Sequence, residues 1–160
     1  MGSWRRSKGQ ALVEFALVLP VLLLVIVAVF DFGRAFLLWN NITHIASDGA
    51  RYSIVNVNPG ASSNMTLQKY LQQQGTTSAL RSCAGVSMSL PNGTSLAGDP
   101  VKVAVSFRFD FGPFLDPIRR LTGSPNLGKV TIVGDSTMRL EQSLDGTNQL
   151  ANNIAIPNGC

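Results

Sequence analysis

A chain of 160 residues, 45% apolar and only 14% charged, has room for one modest domain and an extension rather than two full domains. Its net charge of +4 is loaded at the front, because Arg5, Arg6 and Lys8 all precede the first acid, Glu14. The later charges form no basic stripe with interleaved aromatics, so nothing points to a nucleic-acid partner. No phosphate-cradling glycine motif is present, and the single histidine, His44, has no catalytic partner in the pattern. Enzyme chemistry and a cofactor are therefore not expected.

Residues 1–9 form a short basic leader, the flank expected on the cytoplasmic side of a membrane segment. Residues 11–30 then supply about the 20 apolar residues that a helix needs to cross a hydrocarbon core. Pro20 interrupts this run and favours a kink near residues 17–20. No small-x-small pair follows the run, so a retained anchor is expected rather than a cleaved secretory signal.

Beyond Phe30 the helical spacing continues but becomes one-sided. Phe32, Ala35, Phe36, Trp39, Ile42, Ile45, Ala46, Gly49 and Ala50 recur at three- and four-residue steps. Asp31 with Arg34, and Asp48 with Arg51, are spaced to pair on the polar face. Gly33 and Gly49 lower helix propensity and are best explained by close packing. Residues 10–58 thus read as a membrane-spanning helix continued by an amphipathic spine, ending at Pro59-Gly60.

Residues 59–141 read as an extracytoplasmic α+β domain. A short helix capped by Ser63 or Asn64 carries Met65, Leu67 and Leu71. Val86, Met88 and Leu90 alternate with serines before the Pro91-Asn92-Gly93 turn. Val101, Val103, Val105, Phe107, Phe109 and Phe111 form the clearest period-two strand, one face buried against the spine. Phe114, Leu115, Ile118 and Leu121 mark a short helix or apolar loop that packs on the core or touches the bilayer. Val130, Ile132, Met138 and Leu140 give a last strand, with Gly134 as a bulge. Residues 142–160 form a polar tail.

Cys83 and Cys160 lack the close spacing of metal or redox motifs. Outside the cytoplasm they could pair and hold the tail, a constraint of roughly 4 kcal/mol in the chain-entropy model; in a reducing compartment they would stay as two thiols.

The stretch Gly9-Gln10-Ala11-Leu12-Val13-Glu14-Phe15-Ala16-Leu17-Val18-Leu19-Pro20, with Asp31-Phe32-Gly33-Arg34 and Gly49-Ala50-Arg51, resembles the TadE-like family of pseudopilins of tight-adherence (Tad/Flp) pilus systems, relatives of type IV pilins. A weaker echo lies at Ser136-Thr137-Met138-Arg139-Leu140-Glu141. The resemblance implies a single-pass protein of the inner membrane, cut by a prepilin peptidase between Gly9 and Gln10. It also implies partnership with other pilins or pseudopilins, with the Tad inner-membrane platform and with lipid. Glu14 becomes the fifth residue of the mature chain, as the family pattern requires. Gln10 stands where ordinary type IV pilins commonly have phenylalanine, and Asp48 where the family often has glutamate.

The residues themselves make Glu14 a candidate. An ionised carboxylate inside an apolar helix costs several kcal/mol unless paired. Cleavage after Gly9 creates an α-amino group one turn away, on the same subunit or its neighbour. A hydrated carboxylate without a role is the bland alternative. An anchored module whose sheet recognises an extracytoplasmic ligand is the alternative to a pilus subunit.

Overall fold

Period-two alternation from Val101 to Phe109 builds the central strand of a three-stranded antiparallel sheet, and everything else in the domain is arranged on one face of it. The computed structural model describes residues 4–55, 67–124, 126–144 and 156. In chain order the elements are α1 (Trp4–Val55), α2 (Leu67–Gln74), α3 (Ser78–Cys83), β1 (Gly85–Ser89), β2 (Pro100–Asp110), α4 (Gly112–Thr122) and β3 (Lys129–Arg139). The fold class is α+β, with a long N-terminal helix on a small antiparallel sheet.

Strand β2 lies in the middle, flanked by β1 and β3. Along β2 and β3 the register runs unbroken from Pro100↔Arg139 to Asp110↔Lys129. The inner face carries Val101, Val103, Val105 and Phe109 of β2 with Val86 and Met88 of β1, all buried. Lys102 of β2 reaches Asp135 of β3 at 3.1 Å on the opposite, solvent-facing side. One face wet and one face covered is the arrangement that such alternation encodes.

Helices supply the cover. The C-terminal half of α1 lies across β2 and β3, and α2 fills the space beside it. Ile42, Ala46 and Ala50 of α1 are completely buried, as are Leu67 of α2 and Val101, Val103 and Val105 of β2. Burying each of the larger side chains is worth about 1.5–3 kcal/mol relative to exposure. Tyr52 of α1 stacks on Tyr70 of α2, with ring centroids 4.6 Å apart. Far along the chain, Gln142 donates to the Val55 carbonyl at 2.6 Å and satisfies one of the acceptors left open at the end of α1.

Two glycines set the distance between the layers. A Cβ on Gly134 would lie 2.7 Å from the Thr43 backbone nitrogen and 2.9 Å from the Ile42 carbonyl carbon. Gly134 is therefore not a bulge: it pairs squarely with Val105 and leaves room for the helix backbone to rest on β3. A Cβ on Gly49 would meet Leu71 at 2.8 Å and Val103 at 3.1 Å, so that glycine serves close packing as expected.

Helix α1 is continuous from Trp4 to Val55 and contains Pro20. Several expectations are corrected. The apolar stripe of α1 divides: Ile42 to Ala50 is buried, whereas Phe32, Phe36 and Trp39 are 71%, 55% and 48% exposed, because Arg34 and Leu38, on another side of the helix, face the end of β2. Gly33 has open space around it and packs against nothing within 4 Å. Asp48 and Arg51 form no ion pair, unlike Asp31 and Arg34. Helix α3, unforeseen in the sequence, is capped by Thr77, whose side chain accepts from the Leu80 N–H. The breaking residues Pro59-Gly60, the cap at Ser63 or Asn64, Met65 and most of the tail lie outside the described residues.

The ten residues between β1 and β2 form a clasp on the exit of β3. Asp99 accepts from the Leu96 N–H at 3.0 Å through its carboxylate, while its backbone carbonyl accepts from the Leu140 N–H at 2.8 Å. Leu144 N–H donates to the Ser95 carbonyl at 2.9 Å. Hydrogen bonds from the Thr94 side chain, first, and from the Leu96 N–H hold the Asp99 carboxyl below its ordinary range.

Two predictions follow from this packing. Gly134→Ala should lower the thermal midpoint, by about 1–3 kcal/mol in stability, because it forces the layers apart. Gly33→Ala should leave the midpoint unchanged or raise it by up to about 1 kcal/mol, since nothing opposes the added methyl. Equal effects of the two substitutions in a melting experiment would contradict the close approach. Because the folded-state pKa of Asp99 is depressed, its stabilisation is present above the unfolded value of about 4 and is lost as pH falls through the folded value. The difference in midpoint between the unaltered chain and Asp99→Asn should therefore be largest near neutrality and fade in acid; a pH-independent difference would exclude the carboxylate as its source.

Candidate functional site

From residue 9 to residue 30 no side chain is fully buried, and nearly all are exposed. Leu12, Val13, Phe15, Leu17 and Val18 are each at least 60% exposed, and the most apolar 18-residue window, with mean hydropathy 3.0, is wholly unburied. A column of Leu, Val and Phe with no cover from its own chain is unstable in water, and lipid or a neighbouring protein must supply the contact. By length and composition the helix can cross a membrane once.

Within this column sits one carboxylate. Glu14 is exposed, and the Gln10 side-chain amide donates to its Oε1 at 3.2 Å, one helical turn away. The sequence reading placed Gln10 at the processing junction and overlooked its side chain as a partner; the i, i+4 spacing of Gln10 and Glu14 was the available signal. Gly9 adjoins this pair, and no heavy atom comes within 4 Å of where its Cβ would be. Structure thus brings Gly9, Gln10 and Glu14 onto consecutive turns of one helix.

At the other end of the column the domain begins. Arg34 pairs with Asp31 at 3.4 Å and lies over the Phe109 ring at 5.8 Å, so one guanidinium links α1 to the end of β2. Phe109 packs edge-on against Phe111 at 5.0 Å, while Phe36 and Trp39 contact one another at 5.8 Å on the exposed side. Helix α4 is folded back here and tied by Arg119, which bonds Asp110 at 2.6 Å, Asp116 at 2.9 Å and the Leu127 carbonyl. The hydrogen bond that Arg119 donates to Asp110 pushes the Arg119 pKa above its ordinary value.

Two hollows flank the junction. One of about 440 Å³ lies between α1, α3 and the end of β2, lined by Arg34, Leu38, Leu80, Phe107 and Phe109 among others. The second, about 310 Å³, lies between α1 and α4 and is lined by Val27, Ala28, Asp31, Phe32, Phe111 and Leu115. His44 is exposed on α1. Among the described residues no group of three or more His, Cys, Asp or Glu could hold a metal ion. Cys83 closes α3 and is half-buried, and no cysteine among the described residues is free; Cys160 lies outside them.

These features describe a protein built on one bare apolar helix that continues into the core of a small α+β domain, a plan that fits a single-pass membrane anchor. Residues 9–51 match the family described as TadE-like protein, a similarity that runs along α1 from Gly9 through the part that packs on the sheet. The match includes Gly9, Glu14, Asp31, Arg34 and Gly49 and ends before α2 and the strands. No curated protein and no solved structure matches the chain significantly.

The division of α1 into a bare half and a buried half has a direct consequence. A chain lacking residues 1–26 should remain soluble without detergent and melt within about 1 kcal/mol of the unaltered chain, because residues 9–26 bury nothing in the domain. The complete chain should require detergent or lipid. Loss of the cooperative transition in the shortened chain would show that the apolar half is part of the folding unit.

Proposed function

We propose that this chain is a minor pilin-like subunit of a tight-adherence pilus system, cut after Gly9 by a prepilin peptidase and recruited through its apolar helix into a pilus or its assembly platform. The observation that carries this reading is Glu14, a lone carboxylate in a bare apolar column, five residues beyond a glycine and, among the described residues, bonded only by the neutral amide of Gln10. The TadE-like match over residues 9–51 supports the same assignment, since such proteins are pilus-related and in general non-enzymatic.

The mechanism is subunit packing. Cutting between Gly9 and Gln10 removes the leader cations and leaves an α-amino group on Gln10, one turn from Glu14. That cation, on the same or a neighbouring subunit, neutralises the carboxylate when helices pack in the correct register, offsetting a burial cost of several kcal/mol. A helix displaced along its neighbour leaves Glu14 unpaired in an apolar environment, so one charge pair sets the axial alignment. The leader remains in the cytoplasm, the helix spans the inner membrane and the α+β domain lies outside. A Cys83–Cys160 bridge in that oxidising compartment would fasten the tail to the domain.

Protein purified from membranes of cells with the peptidase should begin at Gln10 by intact mass, and Gly9→Val should leave the leader attached. Glu14→Val should be cut normally yet incorporated at least tenfold less into pili or platform complexes; unimpaired incorporation would remove the register role. A start at Met1 or Gly2 with the peptidase present would overturn the pilin assignment. The hollow beside Phe107 and Phe109 favours a second reading, an anchored module that binds an extracytoplasmic ligand. Such a module would be indifferent to both substitutions.

A further inference from the structure

The placement of α4 on the anchor helix has a consequence for the membrane. Counting from the end of the apolar run at Phe30, Val27 and Ala28 lie about 3–5 Å within it at the helical rise of 1.5 Å per residue. Phe111 and Leu115 border the same hollow as Val27, Ala28, Asp31 and Phe32. The start of α4 is therefore level with the last turn of the membrane-crossing segment. It is not level with the sheet-packed half of α1, where Ile42 to Ala50 are buried. A bilayer that surrounds residues 11–30 must meet this part of the domain.

The chemistry of this end fits such a meeting. Leu121, in the last turn of α4, is 87% exposed, the most exposed large apolar side chain among the described residues, and Val130, at the start of β3, is 48% exposed. Leu127 in the intervening turn is 36% exposed. Arg120 and Lys129 beside them are exposed and form no ion pair among the described residues, whereas Arg119 is engaged with Asp110 and Asp116. The unit is rigidly held: Arg119 grips the Leu127 carbonyl, and Phe111 N–H donates to the Gly128 carbonyl at 2.9 Å. Gly128, at φ 81°, leaves no space for a side chain because Leu115 Cδ1 would lie 2.5 Å from its Cβ. Apolar side chains rimmed by free cations on a preformed helix-and-turn unit suit the boundary between acyl chains and headgroups.

We propose that α4 and the turn leading into β3 form a second membrane contact, seated in the headgroup boundary of the leaflet on the domain's side, with Leu121 and Leu127 inserted and Arg120 and Lys129 among the phosphates. The occupant of this surface is lipid. The domain is thereby fixed in height and rotation against the bilayer. This proposal rests on residues 11–30 spanning the membrane, and its test separates the two.

The complete chain, carrying a photoreactive diazirine residue in place of Leu23, Leu121, Leu127 or Thr137, is reconstituted into phosphatidylcholine–phosphatidylglycerol vesicles and irradiated, and lipid adducts are measured by mass spectrometry. Position 23 reports the anchor, and position 137, on the solvent face of β3, is the background. Adduct formation at 121 and 127 should exceed that at 137 at least fivefold, and Leu121→Asp should reduce the yield at 127 severalfold. Strong labelling at 23 with only background at 121 overturns the second contact while leaving the anchor intact. Cross-links from 121 to a second protein chain in place of lipid overturn it as well. Background labelling at 23 removes the anchor and the proposal with it.

Discussion

The whole arrangement depends on the approach of one helix backbone to one strand, where Ile42 and Thr43 of α1 rest on Gly134 of β3. No side chain separates the two there, and a Cβ would lie under 3 Å from helix backbone atoms. That contact lets Ile42 sink completely, brings Ala46 and Ala50 against the sheet and leaves Gly49 to admit Leu71 and Val103. Once the helix is fixed on β3 and β2, its direction is fixed too, and with it the path of the bare apolar half beyond the domain. The position of Glu14 and the height of α4 both follow from this single approach.

A helix of 52 residues has to satisfy two different surroundings. Its second half is an ordinary core element, one side buried and the other wet. Its first half has almost no interior, and apart from Val27, half-buried beside Phe111 and Leu115, every Leu and Val there waits on contacts from outside the chain. The transition is marked by charge: Asp31 and Arg34 pair just past the apolar run, and Arg34 also lies over Phe109. Phe36 and Trp39, amphipathic or apolar and exposed, stand where aromatic side chains favour the boundary of a bilayer. The domain thus hangs on a stiff connection rather than a linker, and a force or packing constraint on the apolar half is transmitted directly into the core.

Glu14 acquires meaning from the same economy. An acid that only stabilised a soluble fold would be near a cation, and the one described side-chain partner of Glu14 is the neutral amide of Gln10. That amide can moderate the desolvation of the carboxylate but cannot neutralise it. A charge with no cation beside it among the described residues makes insertion tolerable near the membrane boundary and costly in mid-helix contacts of the wrong register. Such an asymmetry suits a subunit stored in a bilayer and drawn into an assembly later.

Much of this was written in the chain. The apolar run, the amphipathic continuation and the period-two strands are local patterns, and hydrophobic periodicity determined their type and nearly their limits, down to the α+β class. Gly9, Gln10 and Glu14 were legible as candidates, because their spacing along one helix is a local pattern. What the sequence left open were the contacts between distant segments. Gly134 read as a bulge, since nothing local reveals that a helix ninety residues earlier presses on it. Gly33 and Gly49 looked alike, yet only Gly49 faces a neighbour. The stripe from Phe32 to Ala50 read as one buried face, and only the seating of Arg34 and Leu38 at the end of β2 decided that Phe32, Phe36 and Trp39 stay exposed. The folding back of α4 to the level of Val27 was likewise invisible, because it depends on the Arg119 bonds to Asp110, Asp116 and Leu127. Periodicity reports which side of an element is apolar; what covers that side, and where the cover ends, is set by packing across the chain.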